Sequence, residues 1–196
     1  MKFIIVFLAS IMLSHAQYNT QKVVEYHEGL INFYADTTTS PLKKEDYKNF
    51  QGIQFFPINE KYNVTAKFKR TKKEKPFAMK TSGSRTPMYI KYGEITFVID
   101  GKKLKLDVFQ NLDLMRNNPK YKNHLFLPFT DLTSGVSSYG GGRYLDLEIP
   151  EKKKFILDFN KAYSPYCAYT SGYNCPITPK QNDLDIEILA GVKYNN

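Results

Sequence analysis

The stretch Ile95-Thr96-Phe97-Val98-Ile99-Asp100-Gly101-Lys102-Lys103-Leu104-Lys105-Leu106-Asp107-Val108 decides the fold class. Ile95, Phe97 and Ile99 alternate with other residues, and after Asp100-Gly101 so do Leu104, Leu106 and Val108. A period of two sends every second side chain to the same face of a strand. Asp-Gly between two such runs is a strong hairpin cue, because a two-residue turn needs positive φ. The stretch therefore reads as an antiparallel hairpin with one buried face.

The same period continues on both sides. Upstream, Tyr62, Val64, Ala66 and Phe68 alternate with Asn63, Thr65, Lys67 and Lys69, and Ile53, Phe55 and Phe56 form a short strand before the turn at Pro57 to Lys61. Downstream, strands are expected at Leu125 to Phe129, at Leu145, Leu147 and Ile149, at Phe155, Leu157 and Phe159, and at Leu184, Ile186 and Ile188. About eight or nine short strands at near-regular spacing predict a single β-barrel or β-sandwich-like domain. One helix precedes them: over residues 20–35, Val23, Tyr26 or His27, Leu30 and Tyr34 recur at helical spacing, widened by Val24 and Ile31. Pro41 stops it, and Asp46 to Phe50 reads as a short helical turn. The class is mainly β with a minor α component, and the helix is expected to cross an open face or plug one end.

Lys2, the apolar run Phe3 to Leu13 broken only by Ser10, and the small residues of Ser14-His15-Ala16 follow the three-part secretory pattern. Residues 1–16 are expected to be a signal peptide cleaved near Ala16, leaving residues 17–196 as one domain, exported to the periplasm or the medium. The run falls short of the ~20 residues that span a bilayer, so no stable membrane anchor is expected. Cleavage removes Lys2 as the only formal charge and takes the net charge from +9 to +8.

Lysine and arginine gather at Lys67, Lys69, Arg70, Lys72, Lys73 and Lys75, at Lys102, Lys103 and Lys105, and at Lys152, Lys153 and Lys154. These read as solvated loops and strand edges that discourage edge-to-edge pairing. No nucleic-acid partner is expected, while any weak attraction to anionic surfaces would be sensitive to salt.

Three polar segments stand apart from the scaffold. In the first, Asp131, Thr133, Ser134 and Tyr139 lead into Gly140-Gly141-Gly142-Arg143. Glycine lets the backbone approach a ligand closely, free N–H groups cradle anions, and a guanidinium grips carboxylate or phosphate. The other reading takes precedence: a glycine bulge at a corner, with Arg143 paired to an internal carboxylate such as Asp131, Asp146 or Asp158. The second segment places Asp158 and Asn160 at a strand end, to hold a ligand or to cap the turn completed by Pro165. The third contains Cys167 and Cys175, the only cysteines, for which a disulfide is the default in an exported chain. A metal site would need further ligands, and His27 and His124 lack the spacing, so neither metal nor cofactor is expected. Asn63-Val64-Thr65 fits a glycosylation acceptor but carries little weight within a strand.

Together these segments resemble the bacterial domain-of-unknown-function 1684 family. The likeness rests on Arg85 to Gly93, Leu127 to Gly135, Tyr139 to Leu147, Leu157 to Tyr163, Pro165 to Tyr169, Tyr173-Asn174-Cys175-Pro176, Asn182-Asp183-Leu184 and Ala190-Gly191, with Ser40-Pro41-Leu42 and Phe50-Gln51-Gly52 upstream. Thr178 and Val192 depart from the pattern without disturbing it. The resemblance implies no established activity. The leading functional expectation is a module binding a small anionic or carbonyl-bearing molecule through Asp131, Thr133, Ser134, Tyr139, the three glycines, Arg143, Asp158 and Asn160, with Tyr163, Tyr166 and Tyr169 as walls. Next come a hydrolase using Asp131 or Asp158 as base and Arg143 as charge stabiliser, then a structural envelope protein. The oligomeric state is left open.

Overall fold

The computed structural model describes residues 18–194; the expected signal peptide lies outside them. The chain runs through helix α1 (Gln21–Ala35), strands β1 (Gln54–Phe55), β2 (Asn63–Arg70), β3 (Phe77–Ala78), β4 (Met88–Ile99) and β5 (Lys102–Asn111), the short helix α2 (Leu112–Asn117), then β6 (His124–Asp131), β7 (Arg143–Glu148), β8 (Lys154–Asp158), β9 (Asp183–Leu184) and β10 (Val192–Lys193), with six 3-10 turns between them among the described residues.

The hairpin forms as its alternation requires. Ile95 pairs with Leu106 and Phe97 with Leu104, and the turn residues Asp100 and Gly101 take φ of 50° and 74°. The register shifts between Lys91 and Gly93. A Cβ on Gly93 would stand 2.5 Å from the Phe68 ring and 2.8 Å from the Lys69 carbonyl oxygen, so only glycine lets β2 and β4 approach there.

Neighbouring strands follow the order β7-β6-β5-β4-β2-β8, antiparallel throughout that path, with β3 beside β4 and β9 parallel to β6. The molecule is mainly β, and its sheet is a curled half barrel with ends at β7 and β8. Among the described residues β7 and β8 do not pair with each other. The chain leaving β8 instead crosses to β7 through one bridge, Tyr144 to Tyr163. The concave face holds the main core, including Ile95, Leu106, Val108, Leu125, Leu127 and Leu157. Each such burial stabilises by ~1.5–3 kcal/mol. On the convex face Met79, Tyr89, Phe109, Phe126 and Tyr144 form a second cluster. Helix α1 buries Val23, His27 and Tyr34, and Tyr34 meets Leu42, Ile53 and Val192 beside the β1–β10 ladder.

The strand expected across Leu184, Ile186 and Ile188 shortens to Asp183–Leu184. Beyond it one backbone bond still reaches across, from the Leu132 N–H to the Ile186 carbonyl at 3.1 Å, and then side chains take over: the Ile188 N–H donates to Asp131 at 2.6 Å, and the Ile188 and Ala190 carbonyls accept from Arg143. The Ile186 N–H turns back to the Leu184 carbonyl at 2.9 Å. Leu184, Ile188 and Ala190 still reach the main core, so beyond Ile186 the alternation reports burial rather than sheet pairing.

Candidate functional site

Arg143 opens β7 on its concave side and is fully buried. Its guanidinium donates to Asp131 Oδ1 at 3.1 Å, to Thr133 Oγ1 at 3.1 Å, to the Ile188 carbonyl at 2.8 Å and to the Ala190 carbonyl. It also faces the Phe56 and Phe129 rings at 5.7 and 5.2 Å. The Asp131 carboxylate accepts in addition from Thr133 and Ser134, and Thr133 contacts Ser138 at 2.8 Å. Gly142 makes the approach possible: its φ is 91°, and a Cβ would lie 2.5 Å from the Phe129 carbonyl oxygen. Of the three carboxylates open to Arg143 on sequence grounds, the fold brings Asp131. Tyr139 sits outside this knot, edge-on to Tyr194 with ring centres 5.6 Å apart, and the Gly141 carbonyl accepts from Thr178 at 3.2 Å.

Two buried asparagines make comparable locks. Asn160 accepts from the Asn59 N–H and donates to the Asn59 carbonyl, to Asp158 and to the Tyr18 hydroxyl. Asn182 accepts from the Asp107 N–H at 2.8 Å and donates to the Asp107 and Pro128 carbonyls at 2.8 and 2.6 Å. Proline has no N–H for the ladder, and β5 and β6 share only the register pair Phe109 to Phe126, so Asn182 supplies the missing cross-strand bonds. The sequence marks Asn182 only as part of a family motif. Its role depends on which strands it reaches.

A roomy cleft lies elsewhere, at the unclosed gap of the half barrel. It measures about 780 Å³ and is bounded by β7 with the residues after it, by β8, and by the start of α1. Leu145, Leu147, Ile149 and Phe155 make its apolar floor, while Tyr18, Lys22 and Tyr26 come from α1 and the residues just before it. Asp146, Glu148, Asp158 and Lys161 stand on the walls. Asp146 is held by His124 Nε2 at 2.9 Å and by the Tyr163 hydroxyl at 2.8 Å. Asp158 accepts from the Tyr18 hydroxyl and from Asn160. Burial, then the neighbouring Asp158, raises the Tyr18 phenol; burial, then Asp146, raises Tyr26 and Tyr163. All three stay neutral hydrogen-bonding groups at ordinary pH.

Among the residues expected to bind a ligand, Asp158 lines this cleft and Asn160 stands directly behind it. Asp131, Thr133, Ser134, Tyr139, Gly140, Gly141, Gly142 and Arg143 do not line it. Tyr166 and Tyr169 pack around Tyr34 instead, with burial pushing the Tyr169 phenol up to about 12. The residues that sequence reasoning missed are Tyr18, Lys22, Tyr26, Leu147, Ile149 and Phe155. Tyr18 precedes the helix, Ile149 follows β7 and the others lie in ordinary helical or strand stretches, and only the gap between two sheet ends turns them into a cavity.

His27 joins the helix to this region. Its Nε2 lies 2.7 Å from the Asn160 carbonyl oxygen, and its ring stacks on Phe55 at 3.6 Å. Cys167 and Cys175 are joined, and Ser82 ties their loop to the β3–β4 connection through the Tyr173 carbonyl and the Cys175 N–H. Among the described residues no three His, Cys, Asp or Glu side chains converge as a metal set, and no helix is long and apolar enough to cross a membrane.

The chain belongs to the family described as "Protein of unknown function (DUF1684)", whose profile matches residues 48–193. It is similar to the solution NMR structure of the uncharacterized protein from gene locus rrnAC0354 of Haloarcula marismortui, with 31% sequence identity and a TM-score of 0.67, covering 88% of this chain and 92% of that one. No curated protein matches it.

Proposed function

We propose that this member of a family without an assigned activity is a small-molecule-binding module, and that its ligand, a molecule with an apolar body and an anionic or carbonyl-bearing end, occupies the cleft between β7, β8 and α1. The cleft itself carries the reading. Its 780 Å³ falls within the ~300–1,000 Å³ range of small-molecule sites, and an apolar floor with a few polar wall groups is their usual construction. Lys22 and Lys161 supply the cationic groups. Asp146 and Asp158 are already engaged by His124, Tyr163, Tyr18 and Asn160, and among the described residues neither lysine forms an ion pair with them or with Glu148, so both lysines can meet the ligand. The hydrolase reading has less support, because Asp131 and Arg143 are enclosed with each other and Asp158 lies apart from them in the cleft wall. Export fits the same picture: a disulfide persists best in an oxidising compartment.

The test is a fluorescence titration with the neutral apolar dye N-phenyl-1-naphthylamine, followed by displacement with decanoate. Enhancement that decanoate reverses, and that Leu147→Arg reduces at least tenfold, supports the cleft. Absence of enhancement, or equal enhancement in the folded Leu147→Arg variant, rejects it.

A further inference from the structure

The three lysine groups that look separate in the sequence meet on one face of the sheet. Lys67 of β2 lies opposite Lys154 of β8 and, on its other side, opposite Thr96 of β4; Thr96 lies opposite Lys105 of β5. One row across four strands therefore reads Lys154, Lys67, Thr96, Lys105. One pleat along, Ile156 pairs with Thr65 and Val98 with Lys103. Residues two apart on a strand share a face, so all of these point to the convex side, while Ala66, Leu104, Leu106 and Leu157 point to the core. Lys67, Lys103, Lys105 and Lys154 are exposed. Ile156 and Val98, among them, keep 58% and 55% of their surface in water.

The acids on this side are occupied. Lys91 holds Glu94 at 2.9 Å and Asp107 at 3.0 Å, and Lys105 reaches Glu94 only at 3.7 Å. Among the described residues Lys67, Lys103 and Lys154 are in no ion pair. Two lysines directly opposite each other across a strand pair disfavour the fold, so this face is charged at a cost to stability.

We infer that this face docks on the surface of an anionic phospholipid bilayer. The lysines match the negative headgroup layer, where each adds to binding within a Debye length. Ile156 and Val98 match the boundary between headgroups and acyl chains, which takes up exposed aliphatic side chains. A soluble polyanion would use the lysines and leave the two aliphatic residues in water. A single-stranded nucleic acid would want aromatic stacking platforms, and this row offers Ile, Val, Thr and Lys. Ile156 also lies on the rim of the cleft, so the docked face and the cleft mouth adjoin.

The experiment is co-sedimentation of the full chain with vesicles of phosphatidylcholine containing 30 mol% phosphatidylglycerol, against phosphatidylcholine alone, at low and high salt. The apolar run at residues 3–13 is common to all variants, so the readout is the difference between them. The expected result is preference for the anionic vesicles, lost with salt. The triple variant Lys67→Gln, Lys103→Gln, Lys154→Gln, which removes only lysines outside any ion pair, should bind them about tenfold or more weakly with its thermal midpoint not lowered, and Ile156→Ser with Val98→Ser should weaken them severalfold. Equal binding by wild type and triple variant overturns the inference. So does tighter binding to soluble heparin or duplex DNA than to vesicles with no effect of the two serine substitutions, which would assign the face to a soluble polyanion.

Discussion

Arg143 and Asp131 form an ion pair at 3.1 Å with both side chains closed off from water. Together they bond the backbone of Ile188 on both sides, donor and acceptor, and the carbonyl of Ala190. The pair thus fastens the C-terminal segment to the end of β6 and the start of β7. Breaking a buried pair by removing one partner leaves the other charge uncompensated.

Arg143→Met is therefore expected to lose about 3–5 kcal/mol of stability. Urea denaturation at pH 7 checks the value. A variant as stable as the wild type would show that the segment 184–190 is held by its apolar contacts alone.

Asn182→Ala removes the three bonds that join β5, β6 and the chain before β9. Unsatisfied buried backbone groups cost ~1–3 kcal/mol each, so a total near 3 kcal/mol is expected, a fall of about 6–12 °C in Tm for a protein of this size. Asn182→Asp should be comparably harmful, because a carboxylate can accept from the Asp107 N–H but cannot donate to the two carbonyls. Full stability in the aspartate variant would contradict this account.

His27 gives the fold an acid sensitivity. Burial, the largest influence, lowers its affinity for a proton below the ordinary value of 6.5, against a smaller opposing effect of the Asn160 carbonyl. The unfolded chain then binds more protons than the folded one in the window below pH 6.5, so stability rises with pH across it. The contribution is intact above pH 6.5, declines as the pH falls towards the folded-state value, and is fully lost below that. A stability profile from pH 7.5 to 5 should slope downward on acidification, and His27→Gln should flatten that slope.

Gly142→Ala places a Cβ 2.5 Å from the Phe129 carbonyl oxygen on a backbone with φ of 91°. Both the contact and the left-handed conformation oppose any side chain, so a loss of about 2 kcal/mol or more is expected. Gly52, with φ of 81° but open space around it, should tolerate alanine better, at about 1 kcal/mol. Paired thermal melts compare the two directly.

The local pattern of the chain carried much of the architecture. Alternation located β2 and the β4–β5 hairpin, Asp100-Gly101 located the turn, and the helical stripe through Val23, His27 and Tyr34 located α1. These features depend on near neighbours, and a period of 2 or 3.6 is visible in any short window. Two cysteines eight residues apart likewise left little choice of partner.

Tertiary structure alone decided the rest. Arg143 had three carboxylates within sequence reach, and the meeting of β6 with the 188–190 segment selected Asp131. Leu184 to Ile188 alternate like a strand, yet side-chain bonds to the backbone of Ile188 and Ala190 replaced backbone pairing beyond Ile186. The lysines at 67, 105 and 154 became one row only when β2 paired with both β4 and β8, and the cleft exists because β7 and β8 do not close. Each of these depends on register between strands distant in sequence, or on hydrogen bonds spanning tens of residues. Periodicity states which face of a strand is buried, but not which strand lies beside it.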